Sequence, residues 1–441
     1  MEEALARSAE MLRHCHGKFY SVTDSEEQLP PEKFIKPCIC RVPQRIRKGA
    51  EEEFDPQLVS LGPYNFGKPN LATFEAHKYE SLLHCLRRAK KDIFEIRQAV
   101  NNIVTDLYYC YDKLWHGWDI NHPAQDFDFV WLMVVDGCFL VELVRATSTS
   151  GGLHSDNPVM LSLMNSYNIF DVLGDSMLLE NQLPLSLFQL LDTILHPECN
   201  FKDDAQRGYS SGFFDYIELI LQIREPFEPA YFKHWLDYVT TSIKITVQCR
   251  GSLGGSWKSA VEISNAGVDF VKSMERIEFK NGVLRLPPIH ITHQTKRKLL
   301  NAVAYDMLRA RRDDFRETPV LTEYVILMAS LLKTPEDVIV LTSARIILNT
   351  LENHQAVVDL FNNISHVASG GQFANILNLE INDYCDTKWR RFRAHVKETY
   401  FRSPWAMFSL VYAIILFLFT AGQTYYTVAA NYSSKDGTRP K

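Results

Sequence analysis

Three strings in this 441-residue chain have residue types and spacings that could do chemistry. Gly62-Pro-Tyr-Asn-Phe-Gly67-Lys68-Pro69 has the spacing of a phosphate-binding loop, whose glycine backbone N–H groups cradle phosphate oxygens. Pro69 stands where such a loop needs a hydroxyl for Mg²⁺, and neither Pro63 nor Pro69 has a backbone N–H to offer. The string reads as a braced structural loop. Gly208-Tyr-Ser210-Ser-Gly212 has the spacing of a hydrolase nucleophile elbow, which needs a buried strand before the serine and a helix after it. The preceding residues, FKDDAQR, are polar and charged, so only the apolar stretch after it, Phe213–Ile223, is suitable. Ser210, or the buried acids considered next, stays as the catalytic group of an alternative reading, a membrane-tethered hydrolase. His290-Ile-Thr-His293 has no helical glutamate beside it and reads as a surface pair.

Acidic residues offer a fourth possibility. Asp136, Glu142, Asp171, Asp175 and Glu180 lie on or beside the most apolar stretches. Paired carboxylates serve general acid–base catalysis, but buried carboxylates are also held by caps and by Asn, Gln or Arg partners. Asn181 and Gln182 follow Glu180 just before Pro184, where proline frees backbone groups that need partners. The group reads as a structural polar knot. Nine cysteines from Cys15 to Cys385 contain no CxxC. His14-Cys15-His16 and Cys38-x-Cys40 are the close groupings, and neither has the paired spacing of a zinc site. An odd count spread along the chain fits a reducing compartment rather than a disulfide framework. The expectation is a non-enzyme, with no catalytic, cofactor-binding or metal-binding residues.

Composition sets the outer bounds. Hydrophobic residues are 46% and charged residues 23%, ordinary for a globular chain. The net charge of −6 argues against a nucleic-acid partner, which would need a basic footprint. Leu82, Leu86, Ala89, Ile93, Ile96, Val100, Ile103, Leu107 and Cys110 recur at alternating +4 and +3 steps. That spacing predicts one long amphipathic helix, either packed on a core or available for homo-oligomerisation through 82–110. Asp126–Ala146 is apolar almost all round and reads as a central buried helix. Asp171–Leu195 reads as a second apolar helix, broken near Gln182–Leu183 by Pro184. Asn281-Gly282 between Ile277–Lys280 and Val283–Leu286 predicts a β-hairpin. Thr295–Arg312, Thr318–Leu332, Glu336–Leu351 and Gln355–Asn363 read as amphipathic helices, and Cys385–Tyr400 as a basic one. The fold class expected is mainly α: a multi-helix globular cytosolic body with a minor β-hairpin and one C-terminal transmembrane helix. Its divisions are a lead-in at 1–37, a body at 38–400, a span at 404–428 and a tail at 429–441. Ser/Gly-rich or polar stretches at 147–158, 196–212 and 249–258 are possible internal boundaries.

The span is the clearest physical signal. No charged residue occurs from Ser403 to Ser434. Trp405–Val428 would run about 36 Å as a helix, enough for a hydrocarbon core of roughly 30 Å. Trp405 stands at one end and Tyr425 and Tyr426 near the other, as in interfacial aromatic belts. Lys388, Arg390, Arg391, Arg393, Lys397 and Arg402 precede the span, whereas Lys435, Arg439 and Lys441 follow it. This bias places the body in the cytosol, with the six basic residues against anionic headgroups. MEEALARSAEM has no apolar core and is not expected to act as a secretory signal, so the span reads as a tail anchor.

The same positions carry a family likeness. Val59-Ser60-Leu61-Gly62-Pro63-Tyr64, then Asp136-Gly137-Cys138-Phe139-Leu140, then Leu178-Leu179-Glu180-Asn181-Gln182-Leu183-Pro184 stand in this order. Ser259-Ala260, Ala266-Gly267-Val268 and Ser403-Pro404-Trp405 follow. The chain resembles the plant-specific domain of unknown function 247 family, also called uncharacterised protein family 0481, over about 38–430. Asn65-Phe66, Ser176-Met177 and Trp257-Lys258 depart from that family's usual residues. The resemblance implies a membrane-anchored, mostly helical plant protein of unassigned biochemistry, while the anchor, the 82–110 stripe and the lack of an intact catalytic motif point to action through an unknown protein partner. The resemblance also implies a possible role in pollen self-incompatibility, since some grass members are proposed as its determinants.

Overall fold

A computed structural model describes residues 38–112, 128–147, 156–166, 169–196, 233–241, 257–273, 277–312, 319–368, 372–387 and 404–436. They are mostly helical, with short strands in two small sheets. The buried helix expected at 126–146 is helix α1, Phe129–Thr147. Nearly every side chain from Leu132 to Thr147 is buried, Asp136 and Glu142 included. Each large apolar side chain removed from water there contributes about 1.5–3 kcal/mol. Around α1 pack helix α2 (Ala72–Ala89), helix α3 (Ile93–Asn101) and helix α4 (Leu185–Leu195). Gly137 permits the close approach of α4: a methyl group there would lie 2.3 Å from Leu191 Cδ1.

The single helix expected through 82–110 is corrected to three. Helix α2 stops where Lys90 takes a left-handed conformation (φ 54°), and the Lys91 N–H turns back to the Leu86 carbonyl. Asp92 then caps α3 by accepting the Phe94 N–H. After Asn102 and Ile103 a short helix covers Val104–Tyr109. The apolar stripe survives these breaks because each piece turns inward. Leu82, Ile96, Val100 and Leu107 are all buried in the common core, so no continuous apolar ridge is left for a coiled coil. The segment at 171–195 is also two helices, Ile169–Asp175 and Leu185–Leu195. The break spans 176–184 and is wider than Pro184 alone requires, because side chains within it have other work, described below.

The second half builds on helix α5, Thr295–Arg312, which packs against helices Trp235–Thr241, Val320–Leu331 and His354–Val367. The hairpin is as expected: Glu278–Lys280 pairs antiparallel with Val283–Leu286. Asn281 (φ 54°) and Gly282 (φ 80°) supply the two positive φ angles of the turn. Asp269–Lys272 joins it in parallel, and Ile289–Ile291 pairs in parallel with Ile347–Asn349. The helix expected to run from Glu336 to Leu351 therefore ends at Ser343. Arg345 (φ 58°) reverses the chain into that strand. Helix Gln372–Cys385 was not foreseen. Most of the basic helix expected at 385–400 lies outside the described residues.

The terminal helix, Pro404–Asp436, is 33 residues long. Within it Val411–Val428 is long and apolar enough to cross a membrane, and none of that window is buried. Its apolar side chains, Phe417 and Phe419 among them, are exposed, the reverse of α1. One such helix is by itself weak support for a membrane span.

Candidate functional site

The strings at 59–64, 136–140 and 178–184 meet at one buried polar knot. The stretch 57–62 is loop, bent at 57–58 and 62, and its backbone needs partners that no strand among the described residues supplies. Side chains from Asp175 at the end of the preceding helix, from the 176–184 break and from α1 provide them. The Asp175 carboxylate accepts the N–H groups of Gln57, Leu58 and Val59 at 3.0, 2.7 and 2.9 Å. It also pairs with Arg297 on α5 at 2.9 Å. Asn181 takes the place of a strand neighbour: its Oδ1 accepts the Leu61 N–H at 2.8 Å, and its Nδ2 donates to the Val59 carbonyl at 3.0 Å. Asp136 Oδ2 accepts the Gly62 N–H at 2.8 Å. Glu180 accepts the Val42 N–H at 2.7 Å, and Asn65 Nδ2 donates to the Glu180 carbonyl at 2.9 Å. Gln182 Nε2 holds the Ser176 and Leu178 carbonyls, and Tyr111 Oη donates to the Gln182 carbonyl at 3.0 Å. These demands explain the width of the 176–184 break.

At the centre is a buried cation that the sequence reading did not single out. Lys78 Nζ donates to Asp136 Oδ1 at 2.7 Å, to Glu75 Oε1 at 2.8 Å and to Ser60 Oγ at 3.0 Å. Burial pulls the ammonium's pKa down, but Asp136 and Glu75 together outweigh it and hold Lys78 above the usual lysine value. Burial pushes the Asp136 carboxyl up, to about 6, against the attraction of Lys78. A serine beside a lysine could form a nucleophile–base pair if the lysine were neutral. Here Lys78 stays charged, Ser60 donates its own proton to Glu75 at 2.7 Å, and Ser60 and Lys78 are fully buried. This arrangement holds chain segments together, with Glu75 its one partly exposed member.

A second polar cluster lies further along the α2–α1 contact, and of its members only Glu142 was expected. His84, Glu142 and Asp156 place ligand atoms within 4.8 Å of one another, a donor set that metals accept. The Arg88 guanidinium is bonded to Glu142, to Asp156 and to His196 Nε2, so the positive charge the carboxylates need is already in place. His196 Nδ1 is 3.0 Å from Asp192, and Asn157 ties Glu142 to Ser81.

The remaining expected positions are dispersed. Cys138 is buried, and Phe139 packs edge-on against Phe74 with ring centroids 5.6 Å apart. Tyr64 Oη donates to the Asp112 carbonyl at 2.7 Å. Gly67 adopts positive φ in the loop that resembled a phosphate cradle. Gly267 (φ 95°) ends helix Ala260–Asn265. Pro404 and Trp405 open the terminal helix. His290 sits in a strand and His293 is exposed in the turn after it. Ser210, the His14–His16 group and the basic residues Lys388, Arg390, Arg391, Arg393, Lys397 and Arg402 lie outside the described residues.

The profile of the DUF247 family, described as plant protein of unknown function, matches residues 39–419. The chain belongs to this family. A UPF0481 protein of Arabidopsis thaliana is 24% identical over 434 residues, covering 91% of this chain and 88% of its own length. A second Arabidopsis thaliana UPF0481 protein is 27% identical over 150 residues, 33% of this chain and 25% of that one. No solved structure gives a significant match. The match to the DUF247 profile takes in the knot, both small sheets and the first half of the apolar window of the terminal helix.

Two consequences of this DUF247 body can be measured directly. Gly62 has φ 73°, and a methyl group there would lie 2.9 Å from the Gln182 carbonyl oxygen and 3.0 Å from Tyr111 Oη. Gly62→Ala is expected to cost about 1–3 kcal/mol, seen as a lowered thermal midpoint, from backbone strain and the crowded carbonyl together. Asp306 on α5 is fully buried and accepts the Thr322 N–H and hydroxyl at 3.0 and 2.9 Å. Burial pushes its carboxyl up to about 6, against about 4 in an unfolded chain. A raised carboxyl stabilises the fold fully below about pH 4, and that contribution is lost as pH rises toward 6. The difference corresponds to about 3 kcal/mol at most. Asp306→Asn should therefore flatten the fall in thermal midpoint between pH 4 and 6. A slope equal to that of the parent would show that Asp306 does not titrate there.

Proposed function

We propose that this DUF247 protein is a membrane-anchored, non-enzymatic protein that acts by binding a protein partner from a body on the cytosolic face. The observation that carries the reading is the contrast between two apolar helices. Helix α1 buries its side chains, whereas Val411–Val428 leaves its own exposed over a length that matches a bilayer core. In water that exposure would be strongly unfavourable, since each large apolar side chain gains about 1.5–3 kcal/mol on leaving it. The six basic residues from Lys388 to Arg402 support cytosolic placement of the body. The motif carboxylates support a non-catalytic role, because each is engaged by backbone N–H groups or a fixed cation. A part in pollen recognition is the narrower form of the same proposal, and transcript confined to anthers would favour it.

The test is extraction of the full-length protein from plant membranes with alkaline carbonate, run beside a form ending at residue 403. The full-length chain is expected in the pellet and the shortened one in the supernatant. Full-length protein released by carbonate would overturn the anchor. Biotin labelling from an N-terminal ligase should mark cytosolic neighbours; labelled lumenal proteins would overturn the orientation.

A further inference from the structure

Cys38 and Cys110 stand one residue before the partners of a parallel β-bridge, Ile39 and Tyr111. The Cys38 and Ile39 N–H groups both donate to the Cys110 carbonyl, at 2.9 and 2.7 Å. Backbones paired in this way run about 4.8 Å apart. That spacing falls within the Cα separation, about 4.4–6.8 Å, at which a disulfide closes without moving the backbone. The Cys38 thiol acts directly on the Cys110 sulfur, whose own S–H donates to the Asp106 carbonyl at 3.3 Å. Cys38 is buried and Cys110 is partly exposed, so Cys110 is the member of the pair nearer solvent. The Cys38 hydrogen bond holds the Cys110 thiol below its ordinary pKa despite burial and the nearby Asp106 charge, and the charge of Lys233 acts the same way as Cys38. Such a thiol is the better nucleophile of a pair at neutral pH.

A second pair supplies the contrast. Cys85 on α2 and Cys138 on α1 also share a thiol hydrogen bond, but both are fully buried. That hydrogen bond and burial push Cys138 well above the ordinary thiol value. The two pairs are alike in proximity and opposite in access and acidity.

We propose that Cys38 and Cys110 form a redox-active dithiol, oxidised to an intramolecular disulfide by a small disulfide such as glutathione disulfide. The Cys110 thiolate attacks one sulfur of glutathione disulfide. The glutathione S–S bond breaks, and the departing glutathione thiolate takes a proton from solvent. Cys38 then loses its proton, and its sulfur attacks the Cys110 sulfur of the mixed disulfide. The second glutathione thiolate leaves and is protonated. Two protein thiols are oxidised and one glutathione disulfide is reduced to two glutathione molecules. The new bond ties residue 38 to the end of helix Val104–Tyr109. It reinforces a junction already held by Tyr64 Oη, 3.2 Å from the Ile39 carbonyl and 2.7 Å from that of Asp112. The proposal is independent of the membrane reading.

The test uses full-length protein in detergent micelles, equilibrated with glutathione buffers of increasing oxidised fraction, then unfolded, alkylated and mapped by peptide mass spectrometry. Cys38 and Cys110 should lose alkylation together and yield one cross-linked peptide pair, while Cys85 and Cys138 stay fully alkylated. In Cys38→Ser, Cys110 should carry a persistent glutathione adduct. In Cys110→Ser, Cys38 should remain a free thiol. Full alkylation of both sulfurs in the most oxidising buffer would overturn the proposal. So would a disulfide from Cys110 to Cys40, or a lasting glutathione adduct on the parent protein.

Discussion

Lys78→Met is expected to lower the stability of the body by about 3–5 kcal/mol, the cost of stripping a buried charge of its partner. Methionine fills nearly the same volume, so the loss is electrostatic rather than a cavity effect. Asp136 would keep only the Gly62 N–H, and Glu75 and Ser60 would lose the ammonium they share. Domains commonly have only 5–15 kcal/mol in total, so the thermal midpoint of full-length protein in micelles should fall by several degrees or more. The double variant Lys78→Met with Asp136→Leu should regain part of the loss, because no orphaned carboxylate remains. A single variant within about 1 kcal/mol of the parent would mean that the buried pair does not hold the knot together.

Asp175→Ala should be at least as damaging, and damaging in a particular place. One carboxylate satisfies three consecutive N–H groups and the Arg297 guanidinium, and each buried group left unpaired costs about 1–3 kcal/mol. Burial pushes the Asp175 pKa up, and its N–H donors and Arg297 push the other way. The residue is therefore poised between a large penalty and a large compensation. Amide hydrogen exchange reads the effect residue by residue. Protection of Leu58 and Val59 should fall further than that of helix Val320–Leu331, and Asp175→Asn, which keeps one acceptor oxygen, should fall between. Equal loss in both regions would point to general loosening instead.

Much of this organisation was legible in the chain. Helix α1 could be read because an unbroken apolar run of that length is buried or in a membrane, and its two acids decide for burial. The hairpin could be read because Asn281-Gly282 has few other uses. The terminal helix could be read because thirty residues without a charge are rare. The knot was legible in its acceptors, Asp136, Asp175, Glu180 and Asn181, which stand out against apolar neighbours. Its donors were not. Lys78 sits on the apolar stripe between Phe74 and Leu82 but reads as an ordinary helical lysine, and only the fold shows that it and Arg297 reach the knot. The three-helix division of 72–109 was missed because Lys90 and Asp92 carry no glycine or proline to mark the break. The parallel strand pairs were missed because each has only three or four residues, too few for a periodic signal.

Asn301 donates to the Glu53 carbonyl and accepts the Leu179 N–H, and Arg297 reaches both the Asp55 carbonyl and Asp175. Some of these contacts join positions more than two hundred residues apart. Closing so large a separation makes for slow folding. A ribosome adding about 5–20 residues per second needs many seconds between exposing the early loop and delivering its clasp. During that interval the nascent front half has a finished α1 but an open seam. It is the interval in which chaperones would have most to do, and a polypeptide released before Asn301 would leave that seam permanently unclosed.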